Sequence, residues 1–235
     1  MEIRKIRRGY LAILISVTLL LVGAFIFFLV YPFNDDVKYT VSIVILIVLV
    51  GFGLWIKPRI DIVNMHLAYQ KLYNLAKPQK ISVKAPFDDL KARLVQNEYT
   101  LEYNDDKLSL FYKIDINNKG ASRRGILMAF VIYKEDISFE NKYLEKAINH
   151  LENTARDRKD KFIHYGIMQI KSGTHDEKSI KDAYQTRFDR VQMRHIVLIN
   201  ALVDKNGSTA MLFSEDYSPT IFYKHVGNEM IKLIK

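Results

Sequence analysis

Two uncharged apolar runs near the start of the chain constrain its fold more than any other feature. The first, YLAILISVTLLLVGAFIFFLVY, extends from Tyr10 to Tyr31, and the second, YTVSIVILIVLVGFGLWI, from Tyr39 to Ile56. A helix needs roughly 20 apolar residues to cross the hydrocarbon core of a bilayer, so the first run is ample and the second sufficient. The first run also exceeds the roughly 7–15 apolar residues of a signal-peptide core, and no small-x-small cleavage site follows it. Both runs therefore read as membrane spans, joined by a short polar turn that contains Pro32 and Asn34-Asp35-Asp36.

The flanks give an expected orientation. Arg4, Lys5, Arg7 and Arg8 precede the first run, Lys57 and Arg59 follow the second, and the connecting loop has only Lys38. Basic residues accumulate on the cytosolic side, so both termini are expected there, in a cell membrane. Tyr10, Tyr31, Tyr39 and Trp55 fall at the ends of the runs, where amphipathic rings favour the headgroup layer. Within the runs the polar side chains are Ser16, Thr18, Thr40 and Ser42, with none of the ionisable groups a pore or transporter uses. The hairpin is expected to anchor rather than to conduct.

Composition narrows what the rest can do. The net charge is +9, but seven Lys/Arg against three acids leave +4 in residues 1–59, and 28 against 23 leave +5 beyond. Nearly half of the excess belongs to membrane topology, and the remainder is a mixed-sign surface without the dense basic stripe of a phosphate-backbone binder. Nucleic acid is not the favoured partner. The absence of cysteine excludes disulfides, thiolate metal sites and a cysteine nucleophile.

The expected organisation is a basic tail over residues 1–9, a two-helix hairpin over 10–56, a juxtamembrane helix over 57–79 and a cytosolic α+β domain over 80–235. In the juxtamembrane helix Ile62, Met65, Tyr69, Leu72 and Ala76 form an apolar seam of two heptads, a surface for the protein's own domain, a partner or a second copy. Lys77-Pro78 ends it. PFDDLKARLVQN reads as a helix opened by Pro86, with Asp88 and Asp89 in its first turn. A hairpin turning at Asn104-Asp105-Asp106 and an apolar central strand from Gly125 to Tyr133 come next.

Phe139, Tyr143, Ala147, Leu151 and Ala155 mark a long amphipathic helix, FIHYGIMQI a strand, and DEKSIKDAYQTRFDRVQ a further helix. HIVLINALVDKNGSTAMLF reads as a hairpin in which Asn206-Gly207 supplies positive φ angles, and Ser218 with Pro219 opens a last helix. Hairpins outnumber crossovers, so a mixed or antiparallel sheet with helices packed on one face is expected. From Pro86 to Ala155 the element order resembles that of a double-stranded-RNA-binding domain. The second helix, beginning SFENKYLEK, lacks the basic cluster such domains aim at phosphates, and no family is assigned.

Candidate chemistry is sparse. Six histidines, His66, His150, His164, His175, His195 and His225, include no HExxH pair, and His225 with Glu229 is an i,i+4 pair without further ligands in sequence. Acids beside His175 at Asp176 and Glu177 suit a helix start. No GxSxG, GxxxxGK[ST], GxGxxG or kinase signature is present, so no catalytic, cofactor or metal residue is named and no cofactor is expected. Arg187, Arg190 and Arg194, which would share a face if helical, together with Arg123 and Arg124, are candidates for contact with anionic lipid. The reading taken is a non-catalytic interaction or scaffolding module; the alternative is a membrane-tethered hydrolase or nuclease whose site spacing does not reveal.

Overall fold

A computed structural model describes residues 2–116, 125–160, 162–191 and 194–235. The chain divides into two units, Met1–Lys71 and Leu72–Lys235.

The first unit is helical. Helix α1 spans Glu2–Val30 and helix α2 spans Asp35–Leu75, its last four residues belonging to the second unit. Both helices are long and apolar enough to cross a membrane, and their apolar stretches are almost entirely unburied, with Leu20 70% and Leu54 70% exposed. A core helix of a water-soluble fold would bury such a stripe. A Cβ on Gly23, Gly51 or Gly53 would meet open space, so these glycines do not mark a close helix approach.

Two expectations change here. The polar turn shrinks to residues 31–34, because Asp35 and Asp36 already form the first turn of α2, where acids favour the positive end of the helix dipole. The juxtamembrane helix is not separate either, since α2 runs through Pro58. Proline cannot donate the helical hydrogen bond at that turn. One residue on, the Arg59 guanidinium donates to the Trp55 carbonyl at 3.0 Å and lies 3.8 Å over its indole ring.

The second unit is an α+β fold. Its strands are β1 (Gln79–Lys80), β2 (Thr100–Asn104), β3 (Leu108–Asp115), β4 (Gly125–Tyr133), β5 (Phe162–Ser172), β6 (Arg187–Val191), β7 (Arg194–Val203) and β8 (Ser208–Met211). Its further helices are α3 (Asp88–Gln96), α4 (Lys142–Asp157), α5 (Glu177–Ala183) and α6 (Ile221–Ile234). The sheet is mixed, in the order β1-β8-β7-β5-β4-β3-β2, with β6 on the same flank of β7 as β8. At its centre β4 and β5, then β5 and β7, run parallel, and every other pair is antiparallel.

Helices cover both faces rather than one. On one face α4 and α5 close over a core containing Leu108, Leu127, Val131, Ala147, Leu151 and Ala183. On the other, α6 lies so close to β5 that a Cβ on Gly166 would sit 2.6 Å from the Val226 side chain. This explains why β4 is buried at all nine positions: a strand covered twice has no polar side to show.

Three local readings are corrected. The segment RFDRV, expected to continue α5, forms β6, because Phe188 and Arg190 alternate with Arg187 and Asp189 and the N-terminal half of β7 offers a free edge. Helix α6 begins two residues later than Pro219 implies, with Thr220 as N-cap accepting from the Tyr223 N–H at 3.0 Å. In the β7–β8 turn only Gly207 has positive φ, at 77°, while the Asp204 carboxylate accepts from the N–H groups of Asn206 and Ser208.

Candidate functional site

Arg187, Arg190 and Arg194 do not form one stripe. Arg187 and Arg190 lie on β6 and Arg194 opens β7, while Arg123 and Arg124 fall outside the described residues. In the antiparallel register Val191 opposes Arg194 and Arg190 opposes His195. Alternation therefore turns Arg187 and Arg194 to the α4 face and Arg190 to the α6 face. Arg187 is engaged with Glu140 at 2.9 Å, a pair open to solvent on both sides.

Arg194 instead borders a cleft of about 460 Å³ at the end of the sheet where β5 and β7 begin. The last turns of α4 supply Glu152 and Arg156 one helical turn apart, the following loop supplies Asp160, and β5 supplies Phe162 and Tyr165. The two rings meet edge to face at 5.4 Å. Among the described residues none of the four charged side chains has an ion-pair partner. Burial, helped by the Glu152 carboxylate, pushes the Tyr165 hydroxyl above its ordinary value, and the guanidiniums of Arg194 and Arg156 pull it back. The hydroxyl stays a neutral donor at physiological pH.

Elsewhere several charged side chains tie elements of the fold together. Lys171, 3% exposed, points from β5 under the loop that enters α4. Its ammonium reaches Asp136 and Asp182 at 3.1 Å each and the Ile137 carbonyl at 2.7 Å. Asp182 also accepts from the Ser138 hydroxyl and the Phe139 N–H, tying α5 to the same loop. Beside it the Tyr133 hydroxyl donates to Gln169 at 2.5 Å, and Gln169 donates to Asn200 at 2.9 Å, linking β4, β5 and β7. Burial holds the Tyr133 hydroxyl well above its ordinary range. Nothing in the spacing of these residues marks the network; only the parallel register of the three strands assembles it.

On the other face, the i,i+4 pair His225 and Glu229 does share a side of α6, and β3 answers both members. His225 Nε2 lies 2.9 Å from the Asp115 carboxylate, and Lys113 pairs with Glu229. Tyr99, buried beside them, has its hydroxyl pushed up by burial and by the Glu229 and Asp115 carboxylates. Along the same face His164 and His195 lie 5.3 Å apart, and the Phe222 ring packs 4.4 Å and 4.2 Å from them. The His195 N–H donates to His164 Nδ1 at 3.1 Å. Among the described residues no group of three or more His, Asp or Glu side chains is arranged to hold a metal ion.

The seam on α2 separates into two parts. Leu72 is fully buried, whereas Ile62 and Met65 are 52% and 40% exposed. Beside Asp176 no catalytic geometry develops. Its carboxylate caps α5, and the Ser179 N–H together with the Thr174 and Ser179 hydroxyls lowers its pKa to about 2.

Compared with known proteins, the chain matches no family model, no curated protein and no solved structure.

Proposed function

We propose that the chain is a two-span protein of the cell membrane with both termini in the cytosol, whose α+β unit is a non-catalytic interaction or scaffolding module. The observation that carries this reading is how the chemically capable side chains are used. Lys171, Asp182, Lys113, Glu229, His225 and Asp115 each bridge a helix or loop to the sheet. Groups engaged in this way hold helices and loops on the sheet rather than lining an open cleft. The basic flanks of the two apolar helices support the orientation.

A partner, or a second copy of the chain, has the exposed Ile62 and Met65 on α2 available to it. Cross-linking of the full-length protein in its membrane, with and without Ile62→Asp and Met65→Asp together, tests this. One discrete cross-linked species, lost in the double variant, is the expected result. Saturable hydrolysis of phosphodiester or ester substrates by the purified protein, with no cross-linked species, would favour the tethered hydrolase or nuclease instead.

A further inference from the structure

In the cleft between the end of α4 and the start of β5 and β7, the side chains of Glu152, Arg156, Asp160 and Arg194 converge without ion-pairing among the described residues. We propose that it binds a phosphate monoester that also carries hydroxyl groups, the phosphate taken by Arg156 and Arg194 and the hydroxyls donating to Glu152 and Asp160. The inference does not depend on the scaffolding role of the unit.

The chemistry of the wall selects this class. Two guanidiniums from different elements present forked donors, which suit the several acceptor oxygens of a phosphate. Two carboxylates accept hydrogen bonds but cannot donate them, so they require hydroxyl or amine donors on the ligand. A long polyanion such as a nucleic-acid strand would meet those carboxylates as repulsion. Phe162 and Tyr165 add an aromatic wall for the apolar side of a sugar ring, and about 460 Å³ lies within the range that holds a small ligand. A free sugar phosphate and the phosphorylated headgroup of a lipid offer the same groups.

The test uses the full-length protein in nanodiscs of neutral lipid, titrated calorimetrically with ribose 5-phosphate. Saturable binding is expected, with unphosphorylated ribose inert. Arg156→Gln and Arg194→Gln should each weaken binding about tenfold or more, as loss of one charge-assisted contact implies. Both side chains are exposed and unpaired among the described residues, so the melting temperature should not move. Glu152→Gln with Asp160→Asn should weaken ribose 5-phosphate yet strengthen inorganic phosphate, because only the sugar uses the carboxylates.

Nanodiscs containing phosphatidylinositol 4-phosphate separate the two sources. Competition with ribose 5-phosphate identifies a headgroup ligand, and unchanged affinity a soluble one. Absence of saturable binding in either disc, or binding by both arginine variants as tight as that of the parent protein, would overturn the proposal.

Discussion

Lys171 and Arg187 show how differently two cations of the same unit are used. Lys171 is withdrawn from water and held by two carboxylates and a carbonyl, whereas the Arg187–Glu140 pair is solvated on both sides. Breaking a buried pair leaves an uncompensated charge, while an exposed pair contributes little. Lys171→Met should therefore cost about 3 kcal/mol of unfolding free energy. Arg187→Gln should change it by less than about 0.5 kcal/mol. Urea denaturation of the two variants measures the contrast, and equal effects would refute it.

His195 gives a pH dependence of definite sign. Burial, with the positive charge of Arg190 adding to it, lowers its pKa below the ordinary 6.5. His164 and Phe222 pack on its ring. The folded state thus disfavours the imidazolium, and the unfolded state binds the proton more readily. His195 contributes its full stability above pH 6.5 and loses it progressively as the pH falls through the lowered folded value. Melting temperatures recorded at descending pH should fall more steeply in the parent than in His195→Phe, which keeps the ring stack and removes the titration.

At the scale of elements, the sequence was most legible where one physical signal acted alone. The uncharged runs, the apolar β4, the amphipathic α4 and the β7–β8 hairpin all form, because length, periodicity or a turn residue dictates each. It misled where tertiary pairing overrode a local pattern. The residues of β6 were read as helix because their charges alternate with apolar residues at ambiguous spacing, and the free edge of β7 decides for strand. The two-residue β1 has no signal of its own and exists only as the partner of β8. In the candidate site, Arg194 was legible as one member of a basic cluster. Glu152, Arg156 and Asp160 were not, since only packing of α4 across β5 brings them to it.

Close packing at this scale makes its own predictions. A Cβ at Gly227 on α6 would lie 2.1 Å from the ring of buried Phe213. Gly227→Ala should then destabilise the unit by about 1–3 kcal/mol through overpacking, despite the better helix propensity of alanine. The end of α2 and the strand β1 belong to the fold as well, since Leu72 is fully buried and Gln79 pairs with Thr209. A fragment beginning at Leu72 should melt cooperatively. One beginning at Ile81 should lose about 3 kcal/mol or more, the cost of removing a buried leucine and an edge strand. Identical melts for the two fragments would place the boundary of the fold later.

For the whole molecule, the proposal is that the two apolar helices tether the α+β unit to the inner side of a membrane. The chain contains no cysteine, so single cysteines report without background. One at Asn34 falls in the short connection between α1 and α2, and one at Asn206 in the β7–β8 turn of the α+β unit. Labelling of intact cells with a membrane-impermeant thiol reagent tests the arrangement directly. The account predicts labelling at Asn34 and none at Asn206 until the cells are opened. Labelling at Asn206 alone in intact cells would contradict it, reversing the orientation and placing the unit outside.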